Sequence, residues 1–266
     1  MGLVVAGLWA YPVKGLRGIP LDTVLVEPWG FENDRRWMVV DEAGRALTQR
    51  ECPRLATLAA TPVTGGLALS ADASPGLHLT DDGSRPRTTV QVWGDEVPAA
   101  DCGDEAARWL RERLSLPCRL AHMDQARARP VDHRYGRPGD CVSFADGYPV
   151  LLTSDTSLAA LNGRLQHRVG MERFRPNLVV SGAAAWAEDG WRDVRVGPVV
   201  FRAVKRCSRC IVVTVDQRSG ERPDRTEPLR TLGMMRRDDQ GRITFGQNLI
   251  PDTTGVIRIG DPVEAG

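Results

Sequence analysis

Two cysteines three positions apart, Cys207 and Cys210, stand among three cations, Lys205, Arg206 and Arg209. Positive neighbours favour thiolate over thiol, and the thiolate is the form that attacks electrophiles or binds a metal. Soft thiolate suits several transition metals, so the pair alone selects none of them. A zinc site needs a second ligand pair, yet this is the one Cys-x2-Cys in the chain, and His78, His122, His133 and His167 show no helical zinc spacing. A thioredoxin-like pair should open a helix whose dipole lowers the attacking thiol's pKa, whereas the β-branched run after Cys210 reads as a strand. Two ordinary core thiols remain an alternative that spacing leaves open. The other cysteines (Cys52, Cys102, Cys118 and Cys141) are scattered and read as inert buried thiols.

The elements that must position this pair are mostly short strands separated by Gly, Pro and Asp. Gly2 to Trp9, Thr23 to Glu27, Trp37 to Val40, Gly66 to Ser70 and Thr88 to Trp93 are the N-terminal strands expected. Asn177 to Ser181, Val194 to Val196, Val199 to Val204, Ile211 to Val215 and Val256 to Ile259 continue the pattern. Gly44 can take the positive φ of a hairpin after Val40, and Val196-Gly197-Pro198-Val199 is a tight reversal. Asp104 and Glu105 open a helix whose Ala106, Ala107, Leu110 and Leu114 share a face, and Pro117 follows its end. A second helix starts near Ser154 or Asp155, with Leu158, Leu161 and Leu165 as its buried stripe. Met123 to Asp140 is polar and aperiodic, an expected linker or cleft-covering loop, so the domain boundary is placed near residue 120. Asp216 to Gln240 reads as a second irregular, functional loop. The whole predicts a β-rich α+β protein, barrel-like.

Composition narrows the partners. The chain has 266 residues, 42% hydrophobic and 26% charged, with a formal charge of +1. That balance gives no electrostatic reason for a nucleic-acid or membrane-surface partner, so any positive site must be local. No run approaches the roughly 18 apolar residues of a spanning helix, and the N-terminus lacks a signal peptide's basic region. The expected address is cytoplasmic, without a membrane.

The segment from Cys207-Ser-Arg-Cys210 through Ile-Val-Val-Thr-Val-Asp216 to Gly220 resembles the signature of MOSC-domain proteins. It looks closest to the subgroup containing the mitochondrial amidoxime-reducing component and its bacterial relatives. Tyr11-Pro-Val-Lys14-Gly15 and Asp34-Arg35-Arg36-Trp37 resemble that family's N-terminal β-barrel domain. Phe174-Arg175-Pro176-Asn177, Phe245-Gly-Gln247-Asn248 and Gly260-Asp-Pro262-Val263 resemble its MOSC domain. Six landmarks in order span nearly the whole chain. The resemblance implies an N-terminal β-barrel-like domain over residues 1–120 packed on a C-terminal MOSC β-barrel over 121–266.

It further implies a molybdenum–molybdopterin cofactor with Cys210 as the protein ligand to the metal. Lys14, Arg35 and Arg175 are then assigned to the anionic cofactor, since Arg grips two oxygens through its planar fork. Asn177 is expected to supply amide hydrogen bonds, Ser208 and Arg209 polar groups beside the metal, and Thr153 and Ser154 donors at a helix start. Gly15 stands where some relatives carry Ser, and Asn248 where the mitochondrial proteins carry Tyr. Asp34 and Asp216 are the carboxyl groups weighed as general acids, with a strand-end salt bridge as the plainer role. The implied activity is reduction of small N-hydroxylated molecules with electrons from a separate ferredoxin or flavoprotein. The rival is a sulfur carrier with a persulfide on Cys210, or a cofactor-storage protein.

Overall fold

The computed structural model describes residues 2–71, 74–80, 83–125 and 129–266. Seven strands close into a barrel, in the order Leu178–Ser181, Val150–Ser154, Thr244–Pro251, Val199–Ser208, Asp193–Val196, Pro262–Ala265 and Leu3–Ala10. Leu3–Ala10 then pairs back onto Leu178–Ser181, with Leu8 opposite Leu178, which removes the open edges that would otherwise recruit other strands. Alternation fills the interior: in Asp193–Val196 the two valines are buried and the two charges exposed. Val5, Leu8, Val150, Leu178, Val194, Phe201 and Leu249 meet inside. The parallel pair Val150–Ser154 and Leu178–Ser181 is linked by a crossover that includes the helix Asp155–Asn162.

The N-terminal half packs a five-stranded sheet and a three-stranded sheet around its own core. The first runs Arg87–Val92, Asp95–Asp101, Arg119–His122, Trp37–Val40 and Val13–Lys14; the second is Leu58–Val63, Gly66–Ala71 and Ser74–Thr80. Helix Gly103–Leu114 lays Ala106, Trp109, Leu110 and Leu114 against Leu55, Leu67 and Leu120. The two halves are interleaved. Leu3–Ala10 belongs to the C-terminal barrel, and Thr23–Glu27 pairs with Gly255–Arg258, so residue 120 divides the sequence while the chain crosses that division in space.

Several elements differ from expectation. Ile211 to Val215 is no strand: Ile211–Thr214 is a single 3-10 turn. Val213 N–H donates to the Cys210 carbonyl (3.2 Å) and the Thr214 hydroxyl to the Ile211 carbonyl (2.8 Å), which closes the turn locally. Cys210 does therefore precede a helical turn, but four residues carry little of an α-helix's dipole. The strand before it is longer than expected, so Cys207 lies within Val199–Ser208. The segment read as irregular contains the helix Leu229–Met235. The strands Leu58–Val63, Asp95–Asp101, Val150–Ser154 and Thr244–Pro251 were not anticipated. Residues 126–128 of the expected linker lie outside the described residues. Among the described residues no helix is long and apolar enough to cross a membrane.

Candidate functional site

Where the N-terminal sheets meet the barrel there is a cavity of about 300 Å³. Of the eleven residues that the resemblance assigns to the site, nine line it: Lys14, Gly15, Arg35, Arg175, Asn177, Ser208, Arg209, Cys210 and Asn248. Thr153 and Ser154 do not. Both are fully buried; the Thr153 hydroxyl faces the Met171 sulfur at 3.3 Å and Ser154 Oγ lies 2.7 Å from Thr156 Oγ1. Their hydroxyls serve packing around the helix start, away from the cavity.

Lys14 ends the short strand Val13–Lys14, held parallel to Trp37–Val40, and Gly15 turns the chain at φ +86°. A side chain at Gly15 would be strained by that φ. Lys14 is 7% exposed and its Nζ lies 2.5 Å from Asp146 Oδ1. Burial pushes the Lys14 amine below its ordinary value, and Asp146 opposes that shift. The protein atoms crowded around the Asp146 carboxylate work against its charge, but Lys14, Arg35 and Arg50 outweigh them and hold the group well below the usual range. Asp146 is crowded by those groups yet its side chain is 79% exposed, open toward the cavity.

Arg35 and Arg175 both take left-handed backbone, at φ 49° and 54°, a conformation that costs a non-glycine residue about 1 kcal/mol or more. Their guanidinium carbons stand 4.2 and 4.3 Å from the ring centre of Tyr11, so one buried aromatic carries two cations. The Tyr11 hydroxyl donates to the Pro176 carbonyl at 3.1 Å, and burial pushes its pKa up to about 12 against the pull of both arginines. Burial, with repulsion from Arg35, lowers Arg175 to about 10. Asn177 Oδ1 accepts from Arg35 (3.0 Å) and from the Leu151 N–H (3.1 Å), while its Nδ2 donates to the Trp9 carbonyl (3.2 Å). Asn177 thus fixes Arg35 in place and keeps one amide hydrogen for anything else.

Neither carboxyl group weighed as a general acid lines the cavity. Asp34 is buried, accepts the Tyr11 N–H at 2.8 Å and pairs with Arg35 at 2.6 Å; burial raises its pKa against those contacts. Asp216 pairs with Arg173 at 3.1 Å and accepts the N–H groups of Arg218 and Ser219. Arg173 also donates to the Thr214 carbonyl at 2.8 Å, tying down the turn that follows Cys210.

At the other end of the cavity, Val199–Ser208 pairs with Thr244–Pro251, setting Lys205 opposite Asn248 with bulges on either side. Arg209 Nη1 donates to Cys207 Sγ at 2.8 Å and its second terminal nitrogen to the Phe174 carbonyl, while buried Nε has no partner among the described residues. Cys207 and Cys210 are half-buried, and Arg50, which lines the same cavity, interacts electrostatically with Cys210. Burial lowers Arg50, but Cys210, Asp146 and Glu51 together more than offset it and hold the guanidinium above its ordinary value.

Among the described residues, eight cations line the cavity (Lys14, Arg35, Arg50, Arg173, Arg175, Lys205, Arg206 and Arg209) against one carboxylate, Asp146. The only two lysines in the sequence are both among them. So many like charges around one space are costly unless an anion fills it. The residues fit an anionic, metal-bearing cofactor: cations surround the space, the Arg209 Nε is orphaned among the described residues, and two cysteines, Cys207 and Cys210, line it. Among the described residues no three His, Cys, Asp or Glu side chains gather to hold a metal, so a metal on Cys210 would take its other ligands from the cofactor. Sequence reasoning missed Arg50, Asp146, Arg173, Gln49 and Trp93 as lining residues. The rarity of lysine in a chain rich in arginine is a sequence signal that sets Lys14 and Lys205 apart together.

Residues 2–117 match the MOSC N-terminal beta barrel domain and residues 140–264 match the MOSC domain. Mitochondrial amidoxime-reducing component 1 of Mus musculus is 38% identical over 277 residues, covering 97% of this chain and 81% of that protein. The Homo sapiens component 1 is 36% identical, over 97% of this chain and 82% of that protein. Component 2 of Rattus norvegicus is 35% identical over the same shares of the two chains. The chain therefore belongs to the MOSC-domain family, and it carries the N-terminal beta barrel and MOSC domains in one polypeptide, related over nearly its whole length to the mitochondrial amidoxime-reducing components.

Proposed function

We propose that this cavity holds a molybdenum–molybdopterin cofactor and that the protein reduces small N-hydroxylated compounds, drawing electrons from a separate ferredoxin or flavoprotein. The observation that carries the reading is a half-buried Cys210 sharing one cavity, among the described residues, with eight cations and a single carboxylate. When bound, the cofactor supplies a two-electron redox centre able to take oxygen from nitrogen. The protein's own residues do the rest. Cys210 offers its sulfur to the metal, with Arg50 lining the same cavity. Lys14, Arg35 and Arg175 bind the anionic groups, with Tyr11 and Asn177 fixing the arginines' directions. Arg209 directs one arm to Cys207 and leaves Nε free for an acceptor. Ser208 and Asn248 add polar contacts along the same wall.

The test uses protein made in a host that synthesises the cofactor. Benzamidoxime reduction is followed with a reduced viologen dye, alongside molybdenum content. Near-stoichiometric molybdenum with turnover supports the proposal. Absence of both, with a persulfide found on Cys210, would replace it with the sulfur-carrier reading.

A further inference from the structure

Trp93 is the one exposed tryptophan of the seven, at 47%, and it lines the cavity. It sits in the two-residue turn Trp93–Gly94 between Arg87–Val92 and Asp95–Asp101, where Val92 pairs with Asp95. Its φ is +58°, a conformation that such turns normally give to Gly or Asn and that is strained for a bulky aromatic. The hairpin behind it is rigid. Val90, Val92, Val97 and Ala99 are buried in a shared core with Met38, Ala121 and Phe144. Asp95 accepts from Arg129 Nε at 2.7 Å, and the same guanidinium donates to the Ser143, Ala145 and Asp146 carbonyls. The turn is thereby pinned to the loop that forms the cavity's Asp146 wall.

One guanidinium lies between the ring and the wall that carries the thiol. Arg50 lies 4.7 Å from the Trp93 ring centre and lines the same cavity as Cys210. Lys14 lies 5.5 Å from the same ring. A small molecule reaching Cys210 through this cavity therefore meets an indole that is nearly half open and held in place on a fixed hairpin.

We propose that Trp93 is the aromatic wall of the substrate subsite beside Cys210, selecting flat aromatic or heteroaromatic N-hydroxylated compounds over aliphatic ones. The inference rests on the reductase reading for its substrate class. Stacking on an aromatic face adds a modest, shape-dependent attraction that an aliphatic substrate cannot match.

The test compares benzamidoxime with acetamidoxime on the molybdenum-loaded protein and on Trp93→Ala and Trp93→Phe. Steady-state kinetics and calorimetric binding are measured on the same preparations. The expected result is a roughly three- to tenfold loss, in Trp93→Ala, of the preference for benzamidoxime in kcat/KM, carried by KM. Trp93→Phe should keep most of the preference, and binding should follow the same order. An equal change for both compounds would overturn the inference, because Trp93 would then only be positioning Lys14 and Arg50. If the wild type reduces neither compound, the reductase reading fails. In that case a Trp93-dependent binding preference would still support the wall, and its absence would overturn it.

Discussion

Lys14 holds a charge at a place where burial disfavours one, and its stability there depends on a single carboxylate 2.5 Å away. Asp146→Asn would remove the group that opposes the effect of burial, leaving Arg35 and Arg129 to repel the ammonium unopposed. The Lys14 pKa, already depressed, should fall further. With only two lysines in the chain, 13Cε-lysine NMR gives two resonances to follow. We expect the Lys14 signal to titrate below the ordinary lysine range and to move lower still in Asp146→Asn; an unmoved midpoint would show that the ion pair does not hold the charge. The sign for Asp146 is the reverse. Its folded pKa is depressed, so the pair's contribution is present above the ordinary aspartate pKa and is lost as the pH falls through the folded value. At this scale the sequence revealed the residues that sit in recognisable motifs: Lys14, Arg35, Arg175 and Cys210. Arg50 and Asp146 stand in loops without motif or period, and only tertiary folding shows that one faces the Cys210 thiol and the other Lys14.

The strand Thr244–Pro251 illustrates how an element is bent to serve the site. Gly246 lies inside it at φ +80°, and a Cβ there would come 2.5 Å from the Leu152 carbonyl oxygen of the neighbouring strand. The close approach sits two residues before Asn248, which lines the cavity. Gly246→Ala should cost about 1–3 kcal/mol through backbone strain and displacement of Val150–Ser154. Thermal unfolding would show this as a midpoint lowered by several degrees, whereas an unchanged midpoint would mean the strand can relax. Elements were legible where their period was clean. Gly103–Leu114 follows from its acidic first turn and shared apolar face. Ile211–Thr214 was misread because a β-branched run has the same composition as a strand, while local hydrogen bonds to Cys210 and Ile211 close it into a turn. Leu229–Met235 was missed because seven residues are too few to show a helical period within a polar segment.

At the scale of the molecule, the barrel is closed by a strand from the far end of the sequence. Residues 121–266 alone lack Leu3–Ala10, which leaves Leu178–Ser181 and Pro262–Ala265 with unpaired edges and exposes the Val5 and Leu8 side of the core. That fragment should not fold by itself, and co-expression with residues 1–120 should restore it. Cooperative unfolding of the isolated fragment, seen by circular dichroism, would refute the interleaving. Local patterns indicated strands and barrels, but no short-range signal says that the first strand joins the last. The cavity depends on the same interleaving, since Lys14, Arg35 and Arg50 come from one half and Arg175 and Cys210 from the other.

The most direct measurement is the molybdenum content of purified wild type, Cys210→Ala and Cys207→Ala, made side by side in a cofactor-competent host. The account predicts about one metal per wild-type chain, a loss of about tenfold or more in Cys210→Ala, and near-wild-type content in Cys207→Ala. Full molybdenum in Cys210→Ala would contradict it.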